Sequence, residues 1–131
     1  MTKRILCGLL AVGAFAIAAA LVINPRDLVG SYQVSGTNPD GSKYSGEMTL
    51  TLKKGTLLVS GKIGEGQEFY GLARLLDDKL ALSYGINQKD TGEMSFINLI
   101  LYKVKKTGIR ITLDGIWSYG EGIGQERTEK E

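Results

Sequence analysis

Along residues 43–53, "KYSGEMTLTLK", the side chains change character at every step. Tyr44, Gly46, Met48, Leu50 and Leu52 fall on one side, and Lys43, Ser45, Glu47, Thr49, Thr51 and Lys53 on the other. A period of two with one polar face describes a half-buried strand. The same reading holds for Tyr32 and Val34, for Leu57, Val59, Gly61 and Ile63, and for Phe69, Gly71, Ala73 and Leu75. It continues through Leu80, Leu82, Tyr84 and Ile86, through Met94, Phe96, Asn98, Ile100 and Tyr102, and through Ile109, Ile111, Leu113, Gly115, Trp117 and Tyr119. "GIGQERTE" at 122–129 offers a closing strand, and no helical period appears after residue 28.

The connections are short: "KKG" at 53–55, "GEG" at 64–66, "DD" at 77–78 and "KKTG" at 105–108, with only "NQKDTGE" at 87–93 longer. Short links between alternating runs make neighbours in sequence antiparallel neighbours in space. The expected fold is therefore all-β, an antiparallel meander of about eight strands. Such a sheet must cover its apolar face. Closure into a small barrel does so and removes the edges; a two-sheet β-sandwich is the alternative. Gly46, Gly61, Gly71 and Gly115 share the inward parity with large residues such as Tyr44, Phe69 and Trp117. Glycine inside a strand marks a bend or a close approach, which favours the barrel. In "GTNPDGSKYSG" at 36–46, Asn38, Pro39 and Asp40 suit successive positions of a type I turn. Gly41 suits the left-handed residue that follows. The stretch reads as a hairpin, since the spaced oxygen ligands and late Glu of an EF-hand calcium loop are missing.

The first 23 residues are different material. Lys3 and Arg4 precede "ILCGLLAVGAFAIAAALVI", an uncharged run from Ile5 to Ile23. A basic start, an apolar stretch and the small residues Ala18 and Ala20 mark an export signal over 1–20, cleaved after Ala20. The run is also long enough for a membrane anchor over 5–23, formed as a hydrophobic helix. Residues 21–28 are then a lead-in and 29–131 the barrel domain. Either form places the domain outside the cytoplasm: periplasmic, secreted or held at the cell envelope. Membrane contact is expected only through the N-terminal segment if it stays uncleaved. Cys7, the sole cysteine, leaves with a cleaved signal, so no disulfide is available.

The charge is +2, and Lys3 and Arg4 supply both units. The neutral remainder argues against a nucleic-acid partner. With no histidine and one cysteine, Ser-His-Asp and Cys-His chemistry and a zinc site are excluded, and no cofactor is expected. A carboxylate pair is the surviving catalytic option, with Glu47, Glu68, Glu93, Asp114, Glu121 and Glu126 as candidates by type. Most of these alternate onto a polar face, so a non-enzymatic protein is expected. Glu126 is the one to inspect first, because it follows the aromatic-rich stretch. At the end of the barrel an inward charge would need a partner such as Arg110 or Arg127.

The aromatics offer a binding site. Tyr44, Phe69, Tyr84 and Trp117 share the inward parity and are the candidates to line a barrel interior that holds one small hydrophobic ligand; a packed core is the competing use of the same residues. In "SFINLILYKV" at 95–104, Ile97, Leu99 and Leu101 are apolar on the second face. They are candidates for a partner-binding patch, for a protein or a cell-surface component.

"GSYQVSGTNPDGSKYSG" at 30–46 and "GIWSYGEGIGQE" at 115–126 resemble a family of small exported bacterial proteins often labelled fibronectin-binding proteins. The residues that carry the likeness are Gly30, Tyr32, Gly36, Asn38, Pro39, Asp40, Gly41, Tyr44, Gly46, Gly115, Trp117, Gly124 and Glu126. The chain departs from the pattern at Gly61, where an inward Trp is expected. The resemblance implies an exported domain with fibronectin as a partner, and it assigns no catalytic residue. The Gly-x-aromatic opening is also similar to that of lipocalin and avidin-like barrels.

Overall fold

The computed structural model describes residues 22–87, 94–119 and 122–131; for 94–98 and Tyr119 it describes the backbone alone. The expected signal or anchor helix over 1–20 or 5–23 lies outside the described residues, except for Val22 and Ile23. Among the described residues no helix is long and apolar enough to cross a membrane.

The alternating runs form eight strands: β1 Gly30–Thr37, β2 Lys43–Lys53, β3 Thr56–Ile63, β4 Gln67–Leu76, β5 Lys79–Asn87, β6 Met94–Thr107, β7 Arg110–Tyr119 and β8 Gly122–Lys130. Each pairs antiparallel with the next, and β1 also pairs with β8 from Tyr32↔Lys130 to Thr37↔Gln125. That last ladder closes the barrel and leaves no sheet edge, so the two-sheet sandwich is not formed. The apolar face turns inward. Val34, Met48, Leu50, Leu57, Val59, Leu80, Leu82, Ile100, Val104, Ile111 and Leu113 are buried, joined by Tyr32, Phe69, Tyr84 and Tyr102.

The two ends of the barrel differ. At one end, here the base, the lead-in forms a 3-10 helix, Pro25–Leu28. Its Leu28 side chain is fully buried and plugs the core, while its carbonyl accepts a hydrogen bond from the Tyr32 hydroxyl at 2.6 Å. Burial pushes the Tyr32 phenol far above its ordinary value. Asp27 anchors the plug. Its carboxylate accepts from the Asn24 backbone N–H at 3.0 Å and pairs with Lys106 at 3.1 Å, and these contacts hold its carboxyl below the usual range.

The turns at the base follow local chemistry. Lys54 and Gly55 both have positive φ, as a two-residue hairpin that matches strand twist requires. The β6–β7 turn is Gly108–Ile109, not the "KKTG" expected at 105–108, because Lys105 and Lys106 continue the ladder opposite Thr112 and Ile111. Ile109, expected to point inward, therefore stands at the hairpin tip and is 99% exposed. At the opposite end the "NPDG" stretch is the expected turn. The Gly41 N–H donates to the Asn38 carbonyl at 2.9 Å, Gly41 has φ 88°, and Asp40 accepts from the Ser42 N–H at 2.9 Å.

Candidate functional site

The mouth of the barrel, opposite the plug, is built by pairing glycines with aromatics across the ladders. Gly36 stands directly opposite Tyr44, Gly61 opposite Phe69, Gly71 opposite Tyr84, Gly115 opposite Tyr102 and Gly124 opposite Trp117. At four of the five the ring lies where a glycine Cβ would be. A Cβ on Gly115 would come within 2.5 Å of the Tyr102 ring and one on Gly61 within 2.5 Å of the Phe69 ring, while on Gly36 and Gly124 it would overlap Tyr44 and Trp117. Missing side chains on one strand let the rings of the next lie flat against the wall. At Gly61 the ring of Phe69 occupies the space in which the resemblance expected a tryptophan.

One row of this pattern carries charge. Tyr102, Gly115, Glu126, Gly36 and Tyr44 are consecutive partners across β6, β7, β8, β1 and β2. The glycine on each side of Glu126 leaves room for a phenol to reach across to its carboxylate. Tyr44 donates its hydroxyl hydrogen to Oε2 at 2.7 Å, Tyr102 donates to Oε1, and Thr128, two residues on along β8, donates to Oε1 at 3.1 Å. Glu126 is thus an inward carboxylate held by three hydroxyls. No cation among the described residues pairs with it. This corrects the expectation of an Arg110 or Arg127 partner. Arg127, one residue along the strand, points outward to Asp114 at 3.6 Å and Glu129 at 3.7 Å, and Arg110 is exposed at the base.

The phenols respond to this setting. Burial first, and then the charge and hydrogen bond of Glu126, push the Tyr102 hydroxyl well above its ordinary value, and the Tyr44 hydroxyl moves the same way for the same reasons in the same order. Both therefore remain donors at any physiological pH. Among the described residues Oε1 accepts from two hydroxyls and Oε2 from one, which leaves Oε2 a lone pair.

Tyr44, Phe69, Tyr84 and Trp117 sit on the inner wall as two edge-to-face pairs. Phe69 and Tyr84 have centroids 5.6 Å apart at 65°, and Tyr44 and Trp117 6.3 Å apart at 66°. Tyr44 and Trp117 are only half-buried, which leaves the upper pair reachable from the mouth. The indole N–H of Trp117 is buried and makes no hydrogen bond; it lies near the Tyr44 hydroxyl without meeting it in bonding geometry. Leu99 and Leu101 stand on the outer face of β6 and are exposed, with Leu101 opposite Ile116. The Ile97 side chain lies outside the described residues. Among the described residues no three His, Cys, Asp or Glu side chains group to hold a metal.

A groove of about 600 Å³ runs along the same row, lined by Glu126 itself with Ser35, Thr37, Lys43, Asp114, Ile116, Gln125 and Arg127 and by the backbone at Gly36 and Gly115. The two glycines thin the wall there.

No protein-family model and no curated protein matches the chain. Solved structures do. The chain is similar to redesigned β-barrels: mFAP1 bound to DFHBI, with a TM-score of 0.56 and 22% identity over 82% of this chain and 97% of that one, and mFAP0 bound to DFHBI, with a TM-score of 0.55 and 22% identity over 80% and 99%. A de novo fluorescence-activating β-barrel matches at a TM-score of 0.52 and 11% identity, over 82% and 96%. At these identities the likeness establishes the fold, a small closed barrel, and the site must be argued from its own residues.

Proposed function

We propose that this chain is an exported, non-enzymatic barrel that carries a small apolar amine in its mouth. The observation that carries this reading is the Glu126 carboxylate, fixed inside the barrel by three hydroxyls and in no ion pair among the described residues. An inward charge is costly unless it is paired, and a cationic N–H group reaching the free lone pair of Oε2 would pair it. The half-buried rings of Tyr44 and Trp117 suit the rest of such a ligand, since aromatic faces attract both apolar groups and cations. Barrels of this architecture accommodate small molecules, as mFAP1 bound to DFHBI illustrates.

Trp117 is the only tryptophan and lies at the site, so its emission reports binding. Naphthylmethylamine is expected to bind at least about tenfold more tightly than naphthylmethanol, the difference one charge-assisted hydrogen bond supplies. Glu126→Gln keeps the shape and one acceptor and should erase that preference while leaving the alcohol's affinity nearly unchanged. Equal affinities for amine and alcohol in the wild type, or tighter binding of naphthoate, would refute the reading.

A second reading keeps the outer face as a protein-docking surface, on the observation that Leu99, Leu101 and Ile116 are exposed and that Leu101 and Ile116 are paired. If immobilised fibronectin retains the chain through this face, Leu101→Lys with Ile116→Lys should lower the retained fraction about tenfold or more. Retention that is absent, or indifferent to the double change, removes this reading.

A further inference from the structure

The barrel has opposite electrical ends. Residues 24–131 are formally neutral, yet Arg26, Lys53, Lys54, Lys79, Lys103 and Arg110 all lie at or near the base. None of the six is in an ion pair among the described residues. Lys79 and Lys103 are direct cross-strand partners, which repel; Asp114, opposite Lys103 on its other side, is shared with Lys105 and Arg127. Acids near the base are largely spoken for: Asp27 binds Lys106, and Asp114 binds Lys105 and Arg127. Glu129, at the end of β8, also faces Arg127, while Asp77 and Asp78 in the β4–β5 turn and Glu131, which accepts from the Gln33 amide, are in no ion pair among the described residues, so the cations outnumber the free acids there. The opposite rim carries Asp40, Glu65 and Glu68 against Lys43 and Lys62, the last paired with Glu68 at 3.9 Å.

The base is also where exposed apolar side chains stand out. Ile109, 99% exposed in the β6–β7 turn, and Leu76, 72% exposed beside the β4–β5 turn, are the two most exposed large hydrophobics among the described residues, ahead of Ile123, 65% exposed at the opposite end. Val22, 63% exposed, lies just before the plug. The uncharged run of residues 5–23 leads directly into that same end. Isolated apolar tips set among unpaired lysines suit one environment in particular, the headgroup layer of an anionic bilayer.

We infer that the base of the barrel docks on an anionic phospholipid surface, with the Gly108–Ile109 hairpin tip dipping into the headgroups and the mouth facing away. The orientation follows from the charge. The acidic rim is repelled by the surface that attracts the lysines, so the site around Glu126 stays open to solution whether or not the N-terminal segment is retained.

Lysine acylation followed by mass spectrometry tests this on the full chain, mixed with vesicles of phosphatidylcholine alone or with phosphatidylglycerol added. Phosphatidylglycerol should slow labelling of Lys53, Lys54, Lys79 and Lys103 severalfold, and high salt should restore it. Lys43 and Lys62, near the acidic rim, should label equally in both. Lys53→Glu with Lys103→Glu should weaken the salt-sensitive association on the order of tenfold or more. Equal labelling at the base with both vesicles, or protection of Lys43 and Lys62 instead, overturns the inference. A second measurement does not depend on labelling. Ile109→Trp in a Trp117→Phe background should shift its emission to the blue only with phosphatidylglycerol; an unshifted spectrum rules out the dipping tip.

Discussion

Gly71→Ala is expected to cost ~3 kcal/mol or more of stability, a fall in Tm of roughly 15 °C for a domain of this size. A Cβ at residue 71 would overlap the Ser83 carbonyl oxygen and would stand 2.8 Å from the Tyr84 Cα. Both obstacles are backbone of the neighbouring strand, so the ladder itself must part. Gly36→Ala meets something softer. There the obstacle is the ring of Tyr44, which is half-buried and can swing toward the mouth. Its cost should be about 1–2 kcal/mol, but the swing would withdraw the hydroxyl from Glu126 and so weaken amine binding. Tyr44→Ala should relieve the strain of Gly36→Ala, giving a double-mutant coupling of about 1 kcal/mol. Urea unfolding of the four proteins measures it. A Gly36→Ala penalty that is undiminished without the ring would show that something other than Tyr44 occupies the space. Gly41→Ala is the control for backbone strain alone: φ is 88° but nothing lies within 4 Å of the added carbon.

The same contrast explains what could be read from the chain beforehand. Period-two alternation and short connections specify a meander, and the shared parity of Tyr44, Phe69, Gly46 and Gly61 specifies which face closes inward. These are local properties, and the barrel follows from them. The Glu126 cluster is not local. Its side chains come from three strands, and the row Tyr102–Gly115–Glu126–Gly36–Tyr44, which spans five, exists only in one register. Placing the β6–β7 turn at residues 105–108 would set Tyr102 opposite Ile111. The true turn at Gly108–Ile109 sets it opposite Gly115, where a phenol has room to cross. A slip of four residues preserves every in-and-out assignment, which is why alternation alone could not detect it. Parity would have sufficed to exclude Arg127, a partner expected from the sequence, since adjacent residues of a strand face opposite ways. Charge complementarity suggested an arginine; hydroxyls supply the donors instead, and no cation among the described residues pairs with the carboxylate.

That solution has a consequence at high pH. Tyr32 and Tyr102 are almost wholly removed from solvent, and burial raises both phenols, with the charge of Glu126 adding to Tyr102. In the unfolded chain they ionise near the ordinary value of about 10. Above that pH the unfolded state has lost protons that the folded state still holds, so rising pH favours unfolding. The stabilisation is complete below about pH 10 and is lost as the pH climbs from there toward and through the higher folded values. Each buried phenol contributes a slope of about 1.4 kcal/mol per pH unit, so Tyr32 and Tyr102 together give roughly 3. Tyr44 acts in the same direction, more weakly because it is half-exposed. Urea unfolding from about pH 9 to about pH 11 should therefore show stability flat at first and then falling steeply, with tyrosinate absorbance of these residues appearing only as the barrel opens. Tyr102→Phe should lower stability near neutrality by about 1 kcal/mol, since Glu126 loses a donor, yet reduce the alkaline slope by about 1.4 kcal/mol per pH unit. A slope unaltered by that change would mean that Tyr102 ionises freely within the fold, and that its phenol is not the buried donor to Glu126 on which the candidate site depends.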